Sequence, residues 1–128
     1  MGIWETFDHA GALRLPDREI SFADIPWTPH PAFEGVALKH IVTSAQTGGQ
    51  FSFHLVKIAP GKTIGEHVHE AQLETHEVIA GRGVCVRSDA EIAYAPGVIS
   101  ILPASVPHAV TAGKDGLYLF AKFLPALA

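Results

Sequence analysis

The chain has 128 residues, 48% of them hydrophobic and 17% charged, with a formal net charge of -4. This length fits one domain with a proper core, and the composition excludes a disordered or merely solvating chain. Nine Lys and Arg stand against 13 acids with no basic cluster, so the electrostatic footprint of a phosphate-tracking protein is missing and no nucleic-acid partner is expected.

From the N-terminus, Glu5 and Asp8 fall where a secretory signal would be basic and then apolar. No apolar run approaches the roughly 18 residues that would span a bilayer. A cytoplasmic protein without membrane contact is therefore expected. In "DIPWTPHPAF", Pro26, Pro29 and Pro31 disfavour helices and central strands. Residues 1–35 are read as an irregular, proline-rich segment of the kind that wraps a domain or packs on a dimer partner, and 36–128 as the single domain.

"EGVALKHIVTSA" (34–45) reads as a strand and "TGGQ" (47–50) as a hairpin turn. Further short apolar segments follow: "QFSFHLVKIA" (50–59), "THEVIA" (75–80), "GVCVRS" (83–88), "EIAYA" (91–95), "VISIL" (98–102) and "GLYLFAKFL" (116–124). Gly, Pro or Asp punctuates them at intervals of about 8 to 12 residues, the pattern of an antiparallel sandwich or barrel. No segment carries a helical period. The single cysteine, Cys85, has no partner for an internal disulfide and reads as a core thiol in a reducing compartment.

The charged stretch "PGKTIGEHVHEAQLETHEVIAG" (60–81) interrupts this apolar pattern. On an extended strand His67 and His69 project from one face with α-carbons ~6.8 Å apart, close enough for both imidazoles to tilt onto one ion. The order Gly61-x5-His67-x-His69-x4-Glu74-x6-Gly81 resembles, without a gap, the first signature of the cupin family. In "GVISILPASVPHAVTA" the second signature is approached: Gly97, Pro103 and His108 match, while Ser105 stands at a glycine position and Ala112 at an asparagine. Serine there is tolerable if the turn needs no positive φ.

The resemblance implies an all-β fold, a cupin-type antiparallel double-stranded β-helix (jelly-roll) barrel. It also implies a metal held inside by His67, His69, Glu74 and His108. Three imidazoles and a carboxylate suit one divalent transition ion, Mn, Fe, Ni, Zn or Cu, whereas calcium would want more oxygens. Four protein ligands leave open positions for water or a bidentate substrate. His76 lies on the same strand face as Glu74 and competes with it as third ligand; if Glu74 binds, His76 stands beside it, and His76 or Glu74 is the candidate catalytic proton carrier.

Glu66, Glu70 and Glu77 are expected in solvent, and His9, His30 and His40 as surface or structural histidines. Phe51, Phe53, His54, Tyr118, Phe120 and Phe123 are candidates for the pocket wall. Function is bounded less tightly, because this fold hosts dioxygenases, isomerases, lyases and sensors. The reading is metal-assisted dioxygenation, isomerisation or elimination on a small oxygenated molecule such as an organic acid, sugar acid or diketone. The alternative is a non-catalytic small-molecule binder or sensor. A homodimer is expected, with the proline-rich segment and "IVTSA" as its apolar edge.

Overall fold

The computed structural model describes residues 2–128. Met1, the start of the expected N-terminal segment, lies outside them. Ten strands carry the fold: β1 (Ala12–Arg14), β2 (Glu19–Ser21), β3 (Thr28–Pro29), β4 (Val36–Val42), β5 (Ser52–Ile58), β6 (Thr63–His67), β7 (Leu73–Arg87), β8 (Ala90–Tyr94), β9 (Ile99–Leu102) and β10 (His108–Leu124). All pairings are antiparallel.

Two strands are longer than their sequence segments suggest. "THEVIA" and "GVCVRS" form the single 15-residue β7, and the last strand begins at His108 rather than near Gly116. Both pass through a corner. The first half of β7 pairs with β9 and with the end of β10, and its second half pairs with β8 and with the start of β10. One wall is therefore built from β3, β4, β5, β9 and these halves, and the other from β6, β8 and the remaining halves. At the corner, Gly81 has φ +77 and a Cβ there would lie 2.1 Å from the Gly116 carbonyl oxygen, so neither the backbone nor the space admits a side chain. The alternation of apolar and glycine residues hides this continuity, because a corner glycine looks like a strand end.

Strand parity divides the side chains into two cores. Val56 and Ile58 of β5, Val78 of β7, and Leu117, Leu119, Ala121 and Phe123 of β10 face into the barrel with Cys85, Tyr94 and Leu102. Phe51, Phe53 and Leu55, Tyr118 and Phe120 face outward and are covered by Trp4, Phe7, Phe22 and Trp27. The N-terminal residues thus form a second layer on their own chain. It contains one turn of α-helix (α1, Ile3–Glu5) continuing into a π-turn (Thr6–Ala10), the β1–β2 hairpin and a 3-10 turn (Phe22–Asp24). Each helical piece is too short to leave a period in the sequence. Pro29 sits in β3, an edge strand, where its missing N–H costs no ladder bond.

This layer buries a cation. Lys39, on β4, is 2% exposed, donates to Asp8 Oδ1 and to the Phe22 carbonyl at 2.8 Å, and lies 5.3 Å from the Trp27 ring centre. The apolar edge proposed from "IVTSA" is also spent here: Ile41 and Val42 are buried in the outer core. Where a plain hairpin turn was expected, a helical turn (α2, Ser44–Thr47) comes first, with the Thr43 N–H donating to Gln46 Oε1 at 2.7 Å; Gly48 and Gly49 then close the turn at positive φ. No helix is long and apolar enough to cross a membrane among the described residues.

Candidate metal centre

The four expected ligands come from three strands and one loop that meet inside the barrel. His67 closes β6 and pairs across to His108, the first residue of β10. His69 follows in the loop after β6, and Glu74 lies near the start of β7 on the opposite wall. One donor atom from each of His67, His69, Glu74 and His108 lies within 4.8 Å of the other three. Two donors on opposite sides of an ion at about 2.1 Å would be ~4.2 Å apart, so the cluster needs only a small contraction to take one.

Two of the three histidines reach the cluster in a defined tautomer. His67 Nδ1 donates to the Gly65 carbonyl at 2.7 Å, and His108 Nδ1 donates more weakly to the Val106 carbonyl at 3.3 Å. Both rings thereby keep Nε2 unprotonated and available as a donor to a metal. Burial lowers the pKa of His67 and of His69 below the ordinary histidine value and so favours the neutral, ligating form.

Glu74 is the most constrained group. It is 5% exposed, and burial alone would raise its pKa; the neighbouring His76 is the chief group that overcomes this and holds it well below the usual carboxylate range. Its Oε2 accepts from His76 Nε2 at 2.7 Å, and His76 Nδ1 accepts from the Tyr94 hydroxyl at 2.9 Å. Tyr94 keeps its proton because burial pushes its pKa up. The parity argument therefore holds, with Glu74 and His76 both facing inward, but the two are not equivalent. His76 has both ring nitrogens engaged and stands behind Glu74.

The other oxygen, Glu74 Oε1, faces His69 Nε2 at 3.7 Å and His108 Nε2 at 3.1 Å. The closer pair lacks hydrogen-bond geometry, and both atoms are buried without a hydrogen-bond partner among the described residues. Two orphaned acceptor-type atoms at that spacing are what a cation between them would satisfy. The donor set fits the implied ion.

Ser105 holds the loops together. It does adopt positive φ, +66, so the turn makes the demand that glycine would meet more easily. Its N–H donates to the His69 carbonyl at 2.9 Å, which ties the loop carrying His69 to the loop leading into His108. The cavity over the cluster has a volume of about 80 Å³. Its walls are mainly apolar, with Val36, Leu38, Val56, Ile64, Leu119 and Phe123. Of the six wall candidates only Phe123 lines it. Phe51, Phe53, Tyr118 and Phe120 point into the outer core, while His54 is fully buried against Phe123 with its nitrogens on His40 and Ser52.

Glu66 and Glu70 are exposed as expected, whereas Glu77 is partly buried and accepts from Lys122 Nζ at 2.6 Å. Sequence reasoning also missed His30, which lines the cavity from the proline-rich segment. A larger apolar groove of about 350 Å³ beside Ile3, Phe7 and Phe22 has no titratable lining residue and shares none with the cluster.

The cupin domain family (Cupin_2) matches residues 54–120, more than half of the chain. No curated protein matches it. Among solved structures, a predicted oxalate decarboxylase from Thermotoga maritima aligns at 19% identity and TM-score 0.74, covering 80% of this chain and 95% of that one. KdgF from a Halomonas species aligns at 17% identity and TM-score 0.70, covering 80% and 90%. A cupin-2 domain protein from Rhodospirillum rubrum aligns at 16% identity and TM-score 0.70, covering 88% and 72%. At these identities the likeness establishes the fold.

Proposed function

The chain belongs to the cupin domain family, and from that premise we propose that it holds one divalent transition ion between His67, His69, Glu74 and His108 and uses it on a small oxygenated organic molecule. Organic acids, sugar acids and diketone-like compounds are the candidate classes. The first is in keeping with the oxalate named for the Thermotoga structure. The observation carrying the reading is the buried, unbonded pair Glu74 Oε1 and His108 Nε2, 3.1 Å apart. A chain that leaves two acceptor atoms buried without partners loses stability of order 1–3 kcal/mol per group unless a cation compensates.

When bound, such an ion supplies Lewis-acid or oxygen-activating chemistry for dioxygenation, isomerisation or elimination. The chain's own residues do the rest. The carbonyls of Gly65 and Val106 fix the ligating tautomers, and the apolar walls exclude bulk water from a bound molecule. Glu74 and His76 are proposed to act in series: the carboxylate faces the ligand, and His76, hydrogen-bonded to Tyr94 behind it, adjusts the charge that Glu74 carries.

Metal analysis of protein purified without a tag is expected to find about one transition ion per chain. Changing His67 and His69 together to Ala should empty the site while the circular dichroism of the barrel persists. An ion retained by that double variant would refute the ligand set.

A non-catalytic binder is the second reading, and one observation favours it: both nitrogens of His76 are occupied by protein groups, so it offers the cavity no free proton acceptor. Product detection by NMR after incubating the metal-loaded protein with small acids separates the two. A homodimer stays part of this proposal on a different surface, since Ile41 and Val42 are buried, whereas Ile99 and Ile101 of β9 are 67% and 56% exposed. Light scattering should give twice 13.7 kDa; a monomer that persists at high concentration removes the dimer.

A further inference from the structure

His30 lies outside both signature motifs, yet it reaches the cavity in a rigid and chemically defined state. Its backbone N–H donates to the Val36 carbonyl at 2.8 Å. Its ring packs on Phe33, centroids 4.8 Å apart, and Phe33 in turn lies against His67 at 6.2 Å and against the bare backbone of Gly65, where a Cβ would come within 2.9 Å of the Phe33 ring. The N–H of Ala32 donates to His30 Nδ1 at 3.0 Å. An Nδ1 that accepts must leave the proton of the neutral ring on Nε2. Burial lowers the pKa of His30 and so favours that neutral form. The ring is thus held by two contacts and its backbone by a third, and it carries an N–H with no protein acceptor among the described residues, beside a cavity whose walls are otherwise largely apolar.

We propose that His30 is a specificity-determining residue whose Nε2–H donates to an oxygen of the bound molecule that does not contact the metal. This rests on the metal-chelating reading above. The inner cavity, about 80 Å³, has room for a chelating head of a few atoms, so the remainder of a longer ligand must extend past the partly exposed lining residues, of which His30 is one. The class selected is therefore a small acid with a two-oxygen chelating head and a third acceptor oxygen beyond it. A pre-positioned donor in a largely apolar surround discriminates because a ligand lacking the acceptor leaves the N–H unpaired.

The test uses malate and lactate as probes on metal-loaded protein, with metal content measured in every sample. Both acids share a 2-hydroxycarboxylate head, and only malate carries a distal carboxylate. The wild type should prefer malate. His30→Phe, which keeps a ring against Phe33 and loses the donor, should weaken malate about tenfold, leave lactate unchanged and retain the ion. His30→Gln, with an amide N–H near the lost one, should recover part of the preference. Equal losses for both acids in His30→Phe, or no loss for either, overturn the assignment of His30. A metal-loaded wild type that binds neither acid instead overturns the chelation reading and the His30 assignment with it.

Discussion

The protein buries a charge in each of its two cores and treats the two oppositely. Lys39, under the N-terminal layer, is surrounded by acceptors of its own chain: the Asp8 carboxylate, the Asp8 and Phe22 carbonyls, and the face of Trp27. Glu74, inside the barrel, has one oxygen satisfied by His76 and the other left without a hydrogen bond among three imidazoles. The first is a closed arrangement that fastens residues 2–35 to the barrel. The second is left incomplete by the chain's own groups. Burial alone does not distinguish them, at 2% and 5% exposure; the difference lies in whether the chain completes the shell itself.

The contrast breaks first in stability. Lys39→Met should cost about 3 kcal/mol in chemical denaturation, because Asp8 loses its partner in a largely desolvated place, while the ion content stays at the wild-type level. Glu74→Gln should do the reverse, losing the ion while the metal-free protein unfolds at nearly the wild-type denaturant concentration. If Lys39→Met empties the metal site, the two charges are not separate systems.

A smaller effect is expected one bond out from Glu74. His76→Phe keeps the volume but removes the donor to Oε2, and metal affinity measured by competition with a chelator should fall about 10- to 100-fold. An unchanged affinity would mean that His76 does not position the carboxylate.

The smallest effect concerns His54, another group closed by its own chain. Burial, chiefly, and then the charge of His40 push its pKa down to about 4. Between about pH 6.5 and 4 the unfolded chain carries a proton there that the native state lacks, so stability falls as pH falls through that window. The metal-free His54→Gln variant should show a pH slope shallower by about 1.4 kcal/mol per unit at most. An identical slope in both proteins would place the acid sensitivity elsewhere.

How much of this was legible depends on the range of the interaction concerned. His67, His69, Glu74 and His108 were legible through the resemblance to the two cupin signatures, whose fixed spacings are local properties; strand parity alone did not place His69, which lies in the loop after β6. Parity put Glu74 and His76 on one face but could not rank them; the ranking depends on Tyr94, 18 residues away and across the barrel. Lys39 looked like an ordinary polar position in a strand, since nothing near it in sequence announces Asp8, 31 residues earlier. His30 was hidden for a different reason: its prolines argue correctly against regular structure, and irregular structure leaves no periodicity from which to infer a direction. The strand "IVTSA" was found, but which of its faces meets another layer required the layer itself.

Because β7 and β10 each run unbroken from one wall to the other around Gly81 and Gly116, the two jaws of the clamp are cut from the same pair of ribbons. They cannot be prised apart like hinged domains without re-bending backbone at the crowded corner. Any molecule that entered the cavity would therefore have to pass side chains of its lining, His30 and the exposed Leu127 among them, rather than wait for the shell to open.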